Sequence, residues 1–246
     1  MTDTLLLLKD LLKRAAAKAV DLVYPARCPV CDNAAPYGEK ICLDCLRSLK
    51  ALRYPWCEKC GKKLNFGEGI CGDCKRNEHS FVRCRSVFEY PCISNPVYRF
   101  KYLGRREYAA FFAESSVKIL GDYLAMTKPD AIVCVPLSKR KMLKRGYNQA
   151  EDYAGEVSKL TNIPFYPGAL KRVRNTAPMK LLSPAERQKN LKNAFKSGQS
   201  VVKSKRILLI DDIYTTGATT DACAKVLLEA GAESVYCMTL ASGAGI

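Results

Sequence analysis

Eight cysteines stand in two sets of four: Cys28, Cys31, Cys42 and Cys45, then Cys57, Cys60, Cys71 and Cys74. Both sets read C-x2-C-x10-C-x2-C, and the second is the first displaced by 29 residues (57 − 28 = 29). Such a displacement is an internal repeat. A C-x2-C turn brings two thiolates onto one tetrahedral metal, and two turns close a four-thiolate shell with no position open for catalysis. These residues therefore point to structural zinc. Two ions at one per repeat is the simplest count, and cross-bracing between the repeats would use the same eight ligands. A disulfide framework wants an export signal that the chain does not show, and a redox C-x2-C has no need of four paired copies. Gly61 and Gly72, each directly after a ligand, suit left-handed turns. Few bulky apolar residues lie between the ligands, so the metal must supply much of the folding energy here.

A second cluster lies in Ile207-Leu208-Leu209-Ile210-Asp211-Asp212-Ile213-Tyr214-Thr215-Thr216-Gly217-Ala218-Thr219. An apolar strand ends in two adjacent carboxylates, which can reach neighbouring hydroxyls of a ribose. The Thr/Gly-rich turn that follows opens a helix, where backbone N–H groups and threonine hydroxyls can surround a phosphate dianion. Gly217 permits close backbone approach. The chain has neither the Gly-Lys-Ser/Thr of a P-loop nor a G-x-G-x-x-G after a strand, which argues against Walker-type and dinucleotide sites. A third stretch, Val135-Pro136-Leu137-Ser138-Lys139-Arg140, sets two adjacent cations, Lys139 and Arg140, just past an apolar run.

The elements that must position these groups alternate. Phe88 to Tyr90 predicts a strand, 107–125 a helix, Ala131 to Val135 a buried strand, and 148–160 a helix. Arg206 to Ile210 predicts another buried strand, Thr219 to Ala230 a helix closed by Gly231, and Ser234 to Leu240 a last strand. Alternation of this kind implies an α/β fold whose parallel sheet is covered by helices on both faces. Ligands on such sheets bind beyond the carboxyl ends of the strands. The expected organisation is an amphipathic helix at 1–23, a double zinc-ribbon module at 24–80 and a ligand-binding domain at 85–246.

Residues 207–219 resemble the thirteen-residue PRPP (phosphoribosyl pyrophosphate) signature of the type I phosphoribosyltransferases across its full length. The resemblance implies that Asp211 and Asp212 contact the ribose 2- and 3-hydroxyls and that Thr215, Thr216, Gly217, Ala218 and Thr219 hold the 5-phosphate. It also implies that Ser138, Lys139 and Arg140 form the pyrophosphate loop, with Mg2+ as the accompanying ion. Arg145-Gly146-Tyr147-Asn148-Gln149, taken with Arg172, Arg174, Thr176, the Glu186-Arg187 pair and Asn190, is similar to the ComF family of competence proteins, which carries a zinc ribbon ahead of a PRPP domain. Two positions depart from the relatives. Met179 stands where the family commonly has glutamine. Thr215 stands where purine-salvage enzymes have a carboxylate base, so direct purine salvage is not implied.

Forty Lys and Arg against 24 Asp and Glu leave +16, an excess that favours nucleic acid, an anionic membrane surface or a phosphorylated substrate. Lys101, Tyr102, Lys144, Arg145, Tyr147, Arg172 and Arg174 combine cations with aromatics and are candidates for single-stranded DNA. The family resemblance implies a role in natural transformation, with DNA-uptake or recombination proteins as partners. A transferase acting on an unidentified acceptor, or a non-catalytic scaffold for uptake proteins, fits the same residues. The leucine run at Leu5 to Leu8 is too short to span a membrane; the helix it opens docks on the body or a partner, or attaches weakly to an anionic membrane. A cytoplasmic location is expected. Cys134 and Cys237, in apolar runs, read as core. His79 is the single histidine, which leaves no second imidazole for a His-based catalytic or metal site.

Overall fold

The structure, a computed structural model, describes residues 25–174, 191, 193–198, 202–203 and 205–243. The helix expected at 1–23, and Thr176, Met179, Glu186, Arg187 and Asn190, lie outside these residues. The chain divides into two compact units, Met1–Leu49 and Lys50–Ile246.

Each unit holds one cysteine quartet, and the repeat seen in the sequence is a repeat of structure. A bridge between Arg27 and Ala34 in the first unit recurs as Trp56 with Lys63 in the second. Helix α1 (Leu43–Ser48) starts from Cys42 as its N-cap, and α2 (Gly72–Arg76) starts from Cys71. Asp32 (φ 65°) and Gly61 (φ 73°) make the same left-handed turn after the second ligand. Gly61 meets the expectation of a left-handed turn, whereas Gly72 corrects it: Gly72 is the first residue of α2, because the second C-x2-C opens a helix rather than a turn. Glycine at 61 answers a local crowding, since a Cβ there would lie 2.8 Å from the Cys84 carbonyl oxygen.

The second unit is built on a four-stranded sheet of order β1-β6-β5-β2, with every pairing parallel. Its strands are β1 (Arg83–Glu89), β2 (Ala131–Cys134), β5 (Arg206–Tyr214) and β6 (Ser234–Ser242), all with largely buried residues. Lys50–Leu52 lies antiparallel along the outer side of β1, where Leu52 N–H donates to the Val87 carbonyl at 2.9 Å. That covers an edge which would otherwise invite pairing with another chain. On one face Ile207 and Leu209 pack in a single apolar cluster with Cys223, Ala224 and Leu227 of α8 (Ala218–Glu229). Leu208 and Ile210 point to the opposite face and are equally buried, where α7 (Gln149–Thr161) packs on β2 and β5. Helices thus cover both faces of the sheet. A small antiparallel pair, β3 (Leu170–Arg172) and β4 (Phe195–Ser197), stands apart from it.

Two expectations change and one helix is added. The helix expected at 107–125 is two, α4 (Tyr108–Ile119) and α5 (Gly121–Thr127), broken at Leu120 beside Gly121. A further helix, α3 (Tyr90–Tyr102), runs directly from β1 despite two prolines. Pro91 sits in its first turn, where the missing N–H costs nothing, and Pro96 is buried within it. Lys139 and Arg140, expected in a loop, instead open helix α6 (Lys139–Arg145). Ser138 Oγ caps it by accepting from Lys141 N–H at 3.4 Å, and Gly146 ends it in the left-handed conformation.

Candidate functional site

Within each quartet all four Sγ atoms lie within 4.8 Å of one another. Separations include 3.7 Å for Cys31–Cys42, 3.6 Å for Cys28–Cys42 and 3.6 Å for Cys60–Cys71. A tetrahedral zinc with Zn–S of about 2.3 Å places sulfurs about 3.8 Å apart, so both cages fit that ion. The pairing left open by spacing is resolved: each repeat closes its own site. Cys57, Cys60 and Cys71 belong to the same apolar cluster as Phe81, Tyr214 and Ala218, so the second cage is part of the sheet's own core. Arg85 of β1 fastens it, donating to the carbonyls of Cys57 (3.3 Å), Glu58 (3.2 Å) and Cys84 (2.8 Å) while lying over the Trp56 ring. Cys134, Cys223 and Cys237 are core thiols, and burial holds their pKa values above the ordinary range.

The carboxylates stand where β5 outruns β2. Cys134, the last residue of β2, pairs with Ile210, whereas β6 accompanies β5 as far as Tyr214 opposite Ser242. Asp211 and Asp212 are therefore inside the strand on one side and beyond it on the other. The sequence places the strand's end at Ile210; pairing with β6 carries it on. Asp212 is buried, with Oδ1 2.8 Å from Lys101 Nζ and Oδ2 accepting from Gln149 Nε2 at 2.5 Å. Burial raises its pKa, but Lys101 and Gln149 together outweigh that, and Asp212 lies below the ordinary carboxylate value. Asp211 is half-buried and, among the described residues, has no such cation in contact. Burial, and after it the charge of Asp212, pushes its pKa up to about 7. Two adjacent carboxyls thus differ in protonation near neutral pH, a pattern typical of working sites.

The Arg145–Gln149 stretch is a strap that aims these groups. Arg145 donates to Gln149 Oε1 at 2.7 Å, and Gln149 in turn holds Asp212. Asn148 caps α7 by accepting from Ala150 N–H at 3.2 Å, and its amide donates to the Val135 carbonyl at 3.1 Å. The Tyr147 hydroxyl donates to the Phe100 carbonyl, and the residue is buried.

Beyond Tyr214 the chain turns into α8 through Gly217 (φ 79°), which caps the helix without a side-chain hydrogen bond. Among the described residues no side chain caps this twelve-residue helix, so its first-turn N–H groups are open to an acceptor. Ala218 is buried, Thr216 and Thr219 are partly exposed, and Thr215 is exposed. A Cβ at 217 would lie 2.3 Å from the Tyr214 hydroxyl and 3.0 Å from His79 Cε1, so packing as well as conformation demands glycine. His79 stacks on Phe81 at 4.7 Å, its Nδ1 lies 3.7 Å from Asp221, and its buried Nε2 has no hydrogen-bond partner among the described residues. The lone histidine packs beneath the turn at Gly217.

The cations divide into two groups. Lys139 and Arg140 are exposed in the first turn of α6, one strand end away from the carboxylates. Lys141 follows them, exposed but partly desolvated by its neighbours: that desolvation and then the guanidiniums of Arg172 and Arg145 lower its pKa, while Asp212 attracts its charge. Arg172 of β3 lies over the Phe195 ring and is held within reach of the Asp211 charge. Arg174 follows β3 and is exposed. Lys101, Tyr102, Lys144, Arg145 and Tyr147 line one cleft of about 450 Å3 together with Tyr98 and Gly104. Tyr98 was missed in the sequence; its spacing of four residues to Tyr102 is the signal, legible only once 90–102 is known to be a helix.

Two family models match the chain: "Double zinc ribbon domain" over residues 19–75 and "Phosphoribosyl transferase domain" over residues 113–245. Competence protein F of Haemophilus influenzae is 37% identical over 115 residues, which are 46% of this chain and 50% of that protein. The DNA utilization protein YhgH of Salmonella typhi is 34% identical over 166 residues, 64% of this chain and 73% of that protein. Competence protein ComFC of Bacillus subtilis is 30% identical over 214 residues, 82% of this chain and 84% of that protein. The match thus spans about half the length of the Haemophilus protein and most of the Bacillus one.

Proposed function

The chain belongs to the family of Competence protein ComFC, a double zinc ribbon joined to a phosphoribosyl transferase domain, and from that premise we propose that it binds PRPP and single-stranded DNA in the uptake of DNA. The names of its relatives, competence and DNA utilization proteins, support the uptake role. The observation that carries the PRPP half is the carboxylate pair set one turn before a glycine-capped helix N-terminus. That order matches ribose hydroxyls followed by a 5-phosphate. The +16 charge and the cationic, tyrosine-lined cleft carry the DNA half.

Asp211 and Asp212 offer hard oxygen donors of the kind Mg2+ takes, one or two carboxylates beside substrate phosphates and water. Mg2+ would supply charge neutralisation at the diphosphate. The chain's own residues orient the ribose through Asp211 and Asp212, seat the 5-phosphate on the N–H groups of α8, and set Lys139 and Arg140 toward the pyrophosphate. Should an acceptor be present, loss of pyrophosphate gives C1 oxocarbenium character, which the ionised Asp212 favours electrostatically. Thr215 cannot take a proton from such an acceptor.

Calorimetric titration of Mg-PRPP into the zinc-loaded protein tests the first half; no binding to the folded protein would leave only the DNA reading. For the second half, oligonucleotide affinity must fall with salt at a log–log slope of about −0.7 per phosphate contact, whereas docking to a protein through apolar surface would not.

Acid should oppose PRPP binding. A ligand that needs Asp211 ionised must displace a proton held up to about pH 7, so affinity is expected to fall about tenfold per unit below that pH and to level off above it. Titrations near neutral pH, in buffers of different ionisation enthalpy, should show proton release. The unliganded fold has the opposite preference. Asp211 keeps its proton to higher pH folded than unfolded, so its contribution to stability declines as pH rises from about 4 to about 7.

A further inference from the structure

We infer that the cleft between α3 and α6 is a subsite for one unpaired nucleotide of a DNA strand, and that filling it draws Lys101 away from Asp212, so that strand and Mg-PRPP strengthen each other's binding. The inference rests on the reading of Asp211 and Asp212 as the ribose site.

The cleft is built for a base and a phosphate. Tyr98 and Tyr102 are about half exposed (54% and 48%), with ring centres 5.1 Å apart, an unusual display of aromatic surface one helical turn apart. The Arg145 guanidinium lies 4.6 Å from the centre of the Tyr102 ring, and Lys144 is exposed at the rim. Stacking on tyrosine with cations alongside is how unpaired bases are held without regard to sequence. At about 450 Å3 the cleft is within the size range of small-ligand sites.

Lys101 belongs to both sites. It lines the cleft, and its Nζ stands 2.8 Å from Asp212 Oδ1 with the side chain 16% exposed. Before ligand arrives, this ammonium neutralises the carboxylate that the ribose and its ion must use. A nucleotide phosphate in the cleft competes for Lys101 and leaves Asp212 available. A cation and ribose at Asp212 compete in turn for the carboxylate and leave Lys101 for a phosphate. Each ligand removes the other's competitor, and by linkage the two effects are equal. The chain Tyr102–Arg145–Gln149–Asp212 is a second physical connection between the same two places.

The test is fluorescence anisotropy of a labelled oligothymidylate with the full zinc-loaded chain at fixed salt, with and without Mg-PRPP. Mg-PRPP should tighten strand binding by about 5- to 20-fold. Lys101→Met should remove that gain, and Tyr98→Ala with Tyr102→Ala, both at exposed positions, should weaken the strand about tenfold. Equal strand affinity with and without Mg-PRPP, a gain that survives in Lys101→Met, or a tyrosine pair without effect would each overturn the inference. If both ligands bind and ignore each other, this inference alone fails. If Mg-PRPP does not bind at all, the ribose reading fails and takes this one with it.

Discussion

Replacing Asp211 and Asp212 together by asparagine is expected to reduce Mg-PRPP affinity by at least about 100-fold. A hydrogen bond to a charged group contributes about 1.5–3 kcal/mol, and two such bonds lost correspond to that factor or more. The single variants should separate in stability. Asp211→Asn removes a carboxyl whose charge is disfavoured by burial and by its neighbour, so it leaves the fold as stable or more so. Asp212→Asn leaves the largely buried Lys101 ammonium facing a neutral amide, and destabilises. Calorimetry and thermal unfolding on the three variants distinguish these effects. A double variant that binds Mg-PRPP like the unaltered protein would refute the assignment of this pair to the ribose.

The two zinc cages should differ in consequence by far more than their shared sequence pattern suggests. Cys60→Ser is expected to abolish cooperative folding of residues 50–246 and, with it, PRPP binding. Cys28→Ser should cost the first zinc and leave the unfolding transition of residues 50–246 and PRPP affinity close to unaltered. The reason is placement: Cys57 and Cys60 are fully buried in the cluster that also holds Phe81, Tyr214 and Ala218, while the first quartet belongs to the other compact unit. Zinc contributes about 10–16 kcal/mol to the folding of small zinc modules, against a total of about 5–15 kcal/mol for a typical domain. Zinc content, melting curves and Mg-PRPP titration of both variants check this. Equal losses from the two substitutions would show that the second cage does not support the sheet.

What could be read from the sequence was local. The quartets, the strand at 131–134, the helix at 149–161 and the β5–α8 turn each carry their own periodicity, spacing or cap, and the structure keeps them. What could not be read depends on partners far along the chain. β5 continues through Asp211 and Asp212 because β6 accompanies it, and no local pattern announces that. Helix α3 was hidden by Pro91 and Pro96, whose tolerance depends on first-turn placement and on burial. Helix α6 has no buried residue to mark a face; its Ser138 cap and Gly146 stop were the legible signs. The pairing of Lys101 with Asp212, on which the electrostatics of the site turn, joins elements that only the completed sheet brings together.

Duplication usually suggests interchangeable parts, but here exchange would run in one direction only. Asp32 and Gly61 fill the same left-handed position in the two ribbons. A glycine carried into the first ribbon meets no conformational objection, because any left-handed turn admits it. An aspartate carried into the second would drive a Cβ to within 2.8 Å of the Cys84 carbonyl on β1. The second copy has therefore given up the freedom to diverge at that turn, having become a part of the sheet's wall. The first copy has kept that freedom, its aspartate standing at the same turn.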